Sequence, residues 1–231
     1  MINDSTLEKK LKRRDSEVVD PGRSGFPSLW NSVFSAQDPI SSWLTLWDPL
    51  QSVMPVFYER ICEFTVDIIP TRHVRSGNYQ VLMRMAAPGR IDNLREVAPD
   101  ESDEELHEFA VTESPLDVRL PEDVQGLVPD FPAEFQQLWS EVGDGLFFDI
   151  GMPLGLNPSR VMRAPDSDEV GSWDFDPRKT VVIYESTYTK LYCELSPGFP
   201  TGALLPGGKR GPVSDLWSAL QRVLVNDGNF Y

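Results

Sequence analysis

One stretch in the second half of the chain constrains the fold more than any other. Pro132 opens a run in which Phe135, Leu138, Trp139 and Val142 stand at i, i+3, i+4 and i+7, the spacing of a single apolar helix face. A proline at the first helical position suits such a start, and Gly143 ends the run. Gly143-Asp144-Gly145 then supplies a left-handed turn, and Leu146-Phe147-Phe148-Asp149-Ile150 restarts the chain as a buried strand. A helix leading into a buried strand fits a helical layer beside a sheet. The rest of this half agrees. Thr180-Val181-Val182-Ile183-Tyr184 and Leu191-Tyr192-Cys193-Glu194-Leu195 are β-rich runs joined by polar residues, and they predict a meander. Gly202-Ala203-Leu204-Leu205 adds an edge strand. A last helix starts near Ser214, carries Leu216, Trp217, Leu220, Val223 and Leu224 on one stripe, and ends at Gly228. The class is α+β, a mixed or antiparallel sheet flanked by helices.

Upstream the composition changes twice. Between Phe26 and Phe64 the chain is apolar and aromatic, with Trp30, Phe34, Trp43, Trp47, Met54, Phe57 and Ile61, and Pro39, Pro49 and Pro55 cut the block into short helices. Such a block serves either as core packing or as a groove for a partner. Glu63 to Ile69 and Gln80 to Met85 predict two paired strands around a turn at Ser76-Gly77-Asn78. The first 24 residues hold Lys9, Lys10, Lys12, Arg13 and Arg14 with few bulky apolar residues. They read as a solvated tail or short helix, with a nucleic-acid arm as the sharper alternative. The expected division is a charged tail (1–24), a helical and short-strand N-terminal extension (25–90) and an α+β domain (91–231).

Charge narrows the partners. The chain has 36 acidic and 21 basic residues among 231, a net charge of −15, which opposes general nucleic-acid binding and favours a basic protein. Residues 91–130 concentrate thirteen acids against Arg95 and Arg119, and Asp100, Glu101, Asp103, Glu104, Glu105 and Glu108 are the candidate partner-binding residues. The plainer reading of that stretch is a solubilising loop with a solvated helix face. No apolar run is long enough to span a membrane, the N-terminus lacks the pattern of a signal peptide, and two cysteines make no disulfide framework. These features lead us to expect a cytoplasmic protein.

Catalytic signatures are missing from the sequence. Gly207-Gly208-Lys209-Arg210 lacks the glycine spacing and the hydroxyl of a phosphate loop. Asp166-Ser167-Asp168 with Gly171 faintly resembles a calcium loop, but Pro177 stands where its bidentate ligand belongs. Cys62, His73, His107 and Cys193 are too scattered for a zinc site, and no nucleophile elbow is present. Asp174 and Asp176, placed on one face of a strand, leave a carboxylate-dependent hydrolase as the enzymatic alternative. We expect no catalytic residue, no cofactor and no metal.

The segment Phe131-Pro132-Ala133-Glu134-Phe135-Gln136-Gln137-Leu138-Trp139 followed by Gly143-Asp144-Gly145 resembles the hallmark of the SUKH superfamily, a Leu-Pro-x-x-Tyr/Phe helix leading into an Asn-Gly turn. Phe131 replaces the usual leucine and Asp144 the usual asparagine. The order of Trp173, strand meander, loop and C-terminal helix is similar too, so the likeness covers about residues 118–231. Pro132, Phe135, Trp139, Gly143, Asp144 and Gly145 carry it. The resemblance implies an α+β fold and a non-catalytic protein-binding role: an immunity protein neutralising a toxin, often a basic nuclease, or a regulatory scaffold.

Overall fold

A computed structural model describes residues 7–8, 11–12, 15–86, 107–113, 121–122, 124–147, 155–157, 159, 162–166, 169, 173–186, 189–205 and 208–227. The class is α+β. The N-terminal third carries helices α1 (Ser28–Phe34), α2 (Pro39–Thr45) and α3 (Pro55–Phe64), with a 3-10 turn at Asp48–Gln51 between α2 and α3. The prolines act as the sequence suggests. Pro39 and Pro55 occupy first-turn positions, where no backbone N–H is needed, and the Asp38 side chain caps α2 by accepting from Ser41 N.

A single antiparallel sheet then runs through the described chain in sequence order. Its strands are β1 (Ser16–Val18), β2 (Thr65–His73), β3 (Tyr79–Ala86), β4 (His107–Glu113), β5 (Asp144–Phe147), β6 (Gly155–Leu156), β7 (Thr180–Glu185), β8 (Lys190–Glu194), β9 (Pro200–Leu205) and β10 (Lys209–Arg210). A short β11 (Ser214–Asp215) also pairs with β9. Between β4 and β5 come a 3-10 turn (Gln125–Asp130), α4 (Ala133–Gln137) and a π turn (Leu138–Val142); α5 (Leu216–Asp227) follows β11. Among the described residues, no helix is long and apolar enough to cross a membrane.

The sheet corrects several expectations. β2 and β3, which the sequence places in the N-terminal extension, share one sheet with β4, which it places in the domain that follows. Part of 91–130, read as loop and helix face, is strand β4 in the middle of the sheet. Its paired backbone satisfies every ladder position from Ala86–His107 to Gln80–Glu113. β9 is no edge strand: β8 lies on one side of it, β10 and β11 on the other. The first 24 residues are not all tail, since Ser16–Val18 pairs with Thr71–His73.

One hydrophobic core joins both halves. Trp30, Trp43, Trp47, Phe57 and Ile61 from the N-terminal helices share it with Phe135, Trp139, Ile183, Leu191 and Leu220, all buried, while Trp217 packs at its margin. Tilted or edge-on aromatic contacts run from Phe26 through Trp30, Trp43 and Trp47 to Phe57, with centroids 5.8–6.3 Å apart. Trp30 Nε1 donates to the Val142 carbonyl at 3.0 Å, and Val56 N donates to Gln221 Oε1 at 2.8 Å, tying α1 to the π turn and α3 to α5. The N-terminal aromatic block is therefore core. Where Trp47, Leu50, Phe135, Leu138, Trp217 and Leu220 meet, an apolar void of about 10 Å³ remains, room for about one water molecule.

Candidate functional site

The motif from Phe131 to Gly145 is built differently from its sequence reading. Pro132, with ψ 147°, is the N-cap of α4 rather than its first residue, and its carbonyl accepts from Phe135 N and Gln136 N. The helix then widens into the π turn, closed by Gly143 N donating to the Leu138 carbonyl at 2.9 Å. The extra residue puts Leu138, Trp139 and Val142 all on the buried side. Gly143 is extended rather than left-handed; the left-handed position is Gly145, at φ 91°.

Asp144 is a buried strand residue, not a turn residue. Its Oδ1 accepts from Ser159 N at 2.6 Å and its Oδ2 from Ser159 Oγ at 2.8 Å. A carboxylate at 3% exposure needs such charge-assisted bonds. It thereby fixes Ser159, fifteen residues downstream, against the start of β5. Nothing local in the sequence marks this pairing.

The outer face of β7–β9 carries a second polar arrangement, absent from the sequence reading. Glu169 accepts from Arg163 through two bonds, Oε2 to Nη1 at 2.8 Å and Oε1 to Nη2 at 3.0 Å, and Lys190 Nζ lies 3.4 Å from Oε1. Lys190 also pairs with Glu185 at 2.8 Å. The Arg163 bonds hold the Glu169 carboxyl down at about 2, well below its ordinary 4.5, while burial, and after it the approach of the Glu169 carboxylate, pushes the Tyr192 phenol above its ordinary value and keeps it protonated. Trp173 lies beside this group, stacked with Phe175 and tilted against Tyr192, with the Arg210 guanidinium 4.7 Å from its ring centroid. Gly202 makes room for it: a Cβ there would stand 2.7 Å from the Trp173 ring. Gly202→Ala should lower stability by about 1–2 kcal/mol by pushing Trp173 off the sheet, read as the shift in denaturant midpoint. An unchanged midpoint would show that Trp173 is not seated there.

Among the described residues, the remaining chemistry-bearing side chains do not converge. Asp174 and Asp176 lie in irregular backbone before β7, not on one strand face. Asp176 Oδ1 accepts from Arg178 N and its backbone N–H donates to Glu194 Oε2, so Asp176 builds a turn. His73 Nδ1 accepts from Ser76 N within the β2–β3 hairpin. Cys193 is buried and its thiol is pushed up to about 12 by desolvation, while Cys62 is partly buried and also raised by desolvation. Among the described residues no group of three or more His, Cys, Asp and Glu could hold a metal ion. Of the six candidate partner-binding acids, Glu108 lies on β4 opposite Met85, and Asp100, Glu101, Asp103, Glu104 and Glu105 lie outside the described residues. Comparison with protein-family models, with curated proteins and with solved structures returned no match.

Proposed function

We propose that this chain is a non-catalytic, cytoplasmic protein that binds a basic protein, in the manner of a SUKH immunity protein neutralising a nuclease-type toxin. The observation that carries the reading is the charge of −15, with thirteen acids between residues 91 and 130. A surface of that sign raises the encounter rate with a cationic partner and repels nucleic acid. The fate of the carboxylates supports it as well. Asp144 holds Ser159, Asp176 builds a turn and Glu169 grips Arg163, so these acids serve the fold rather than a reaction.

The test is to mix the purified chain with the basic product of the adjacent gene and follow that product's nuclease activity. Stoichiometric loss of the activity on complex formation is expected. Binding without inhibition would favour a regulatory scaffold, and no binding would overturn the immunity reading. Metal-stimulated hydrolysis by the chain itself, lost in Asp174→Asn and Asp176→Asn, would replace the reading with a carboxylate-dependent hydrolase.

A further inference from the structure

Arg210 differs from its neighbouring cations on the outer face of β7–β10. Arg163 and Lys190 share the carboxylates of Glu169 and Glu185. Arg210 is exposed and makes no ion pair among the described residues; its guanidinium lies over the Trp173 ring instead, 4.7 Å from the centroid. Asp174, exposed and next to Trp173 in sequence, does not pair with it. On a chain of net charge −15, this is a point where the sign of the surface reverses.

The ring beneath the guanidinium is fixed in place. Trp173 rests on the bare backbone of Gly202, where a Cβ would come within 2.7 Å; it is tilted against the fully buried Tyr192 at 5.2 Å and stacks with Phe175 at 5.7 Å. Arg210 itself belongs to β10, in register with Leu204, which pairs in turn with Lys190. A half-buried leucine and the half-buried Trp173 and Phe175 rings thus surround an unpaired guanidinium that is already held against one of them. Such a group loses little freedom when it meets a carboxylate, and its apolar surround shields the pair from water. Tryptophan and arginine are also the residue types that most often carry binding energy at protein interfaces.

We propose that Arg210, backed by Trp173, is the specificity anchor of this chain's protein-binding surface and takes a side-chain carboxylate of the partner protein. That the partner is a protein rests on the function proposed above; the preference of the site for a carboxylate does not. A basic protein steered by the acidic body still carries single acids. One placed opposite Arg210 gains a bidentate pair, whereas a lysine placed there meets a like charge. The acidic surface sets how fast basic proteins arrive, and Arg210 sets which of them stays.

The experiment follows the Trp173 indole N–H resonance of the full chain, assigned with Trp173→Phe, during titration with a hexaglutamate peptide at low ionic strength. A saturable shift is expected, and none with hexaglutamine. Peptide held by other cations of the chain leaves this resonance in place. Arg210→Gln should weaken the hexaglutamate affinity read at Trp173 at least about tenfold, the loss of one charge-assisted pair, with the fold retained because the side chain is exposed. No saturable shift in the parent chain, or a loss in Arg210→Gln that falls short of tenfold, would overturn the proposal. A saturable shift that depends on Arg210, in a chain that does not inhibit the basic product of the adjacent gene, would support the carboxylate site and remove the immunity reading, so the two fail separately.

Discussion

Trp139→Ala is expected to lower the stability of the chain by about 3–5 kcal/mol, the range for emptying a large aromatic from a packed core. The side chain is fully buried and its ring centroid lies 4.9 Å from that of Phe131 and 4.8 Å from that of Phe135. Phe135 in turn touches Trp217 at 6.1 Å, so the loss is felt where the motif helix meets α5. The surroundings cannot collapse readily, because the π turn that carries Trp139 is pinned through Val142 to the Trp30 indole. A stability change this large is a substantial part of what a domain possesses. Trp139→Phe should cost much less than Trp139→Ala. It keeps most of the ring and removes an indole N–H that has no hydrogen-bond partner among the described residues. Denaturant melts followed by circular dichroism give both values, and an unchanged midpoint for Trp139→Ala would refute the packing of this helix.

Glu169→Gln should cost about 2 kcal/mol at neutral pH. Holding a carboxyl at about 2 instead of 4.5 corresponds to about 3 kcal/mol in favour of the folded state, and solvent access to Arg163, about a third exposed, reduces that. The sign follows from the depressed folded value. The stabilisation is complete above about pH 4.5 and is lost as the pH falls toward 2, because the unfolded chain then binds the proton first. Stability should therefore decline between pH 4.5 and 2 in the parent chain and decline less over that interval in the variant. Arg163 and Lys190 remain charged throughout, and removing the carboxylate leaves them facing each other across the outer sheet. Parallel stability curves for the two chains across that interval would mean that Glu169 is not gripped by Arg163.

What was legible in the sequence was whatever is written in local periodicity. β2, β3, β7 and β8 alternate or run apolar over five or more residues, and the structure has them as strands; α5 shows its stripe from Leu216 to Leu224. β4 was hidden because its Glu108 and Glu113 belong to a long acidic stretch, and charge density masked the strand pattern of Phe109 and Val111. The helical segment ahead of β1 offers just two leucines among five basic residues, too little apolar signal to separate it from a tail. The sequence places Asp144 in a turn because aspartate after glycine commonly sits there, whereas its partner Ser159 is a tertiary neighbour. Glu169 and Arg163 form their pair only because Arg163 bridges to Val182 and Lys190 arrives from β8. Pairings of that kind depend on the completed sheet. The union of the two halves was missed for the same reason: Trp30 meets Val142 only across 112 residues of chain.

Association kinetics decide whether an acidic surface leads this chain to a basic partner. The parent chain and a variant with Asp100, Glu101, Asp103, Glu104, Glu105 and Glu108 replaced by Asn or Gln would be compared at about 0.1 M and about 1 M salt, where charges act over about 10 Å and about 3 Å. The variant should associate more slowly at the lower salt and show a flatter salt dependence, with dissociation nearly unchanged, because rim charges act mainly on the encounter. Equal on-rates for the two chains at both salts would remove this stretch from the encounter, and an on-rate of the parent chain that rises with salt would contradict the claim itself.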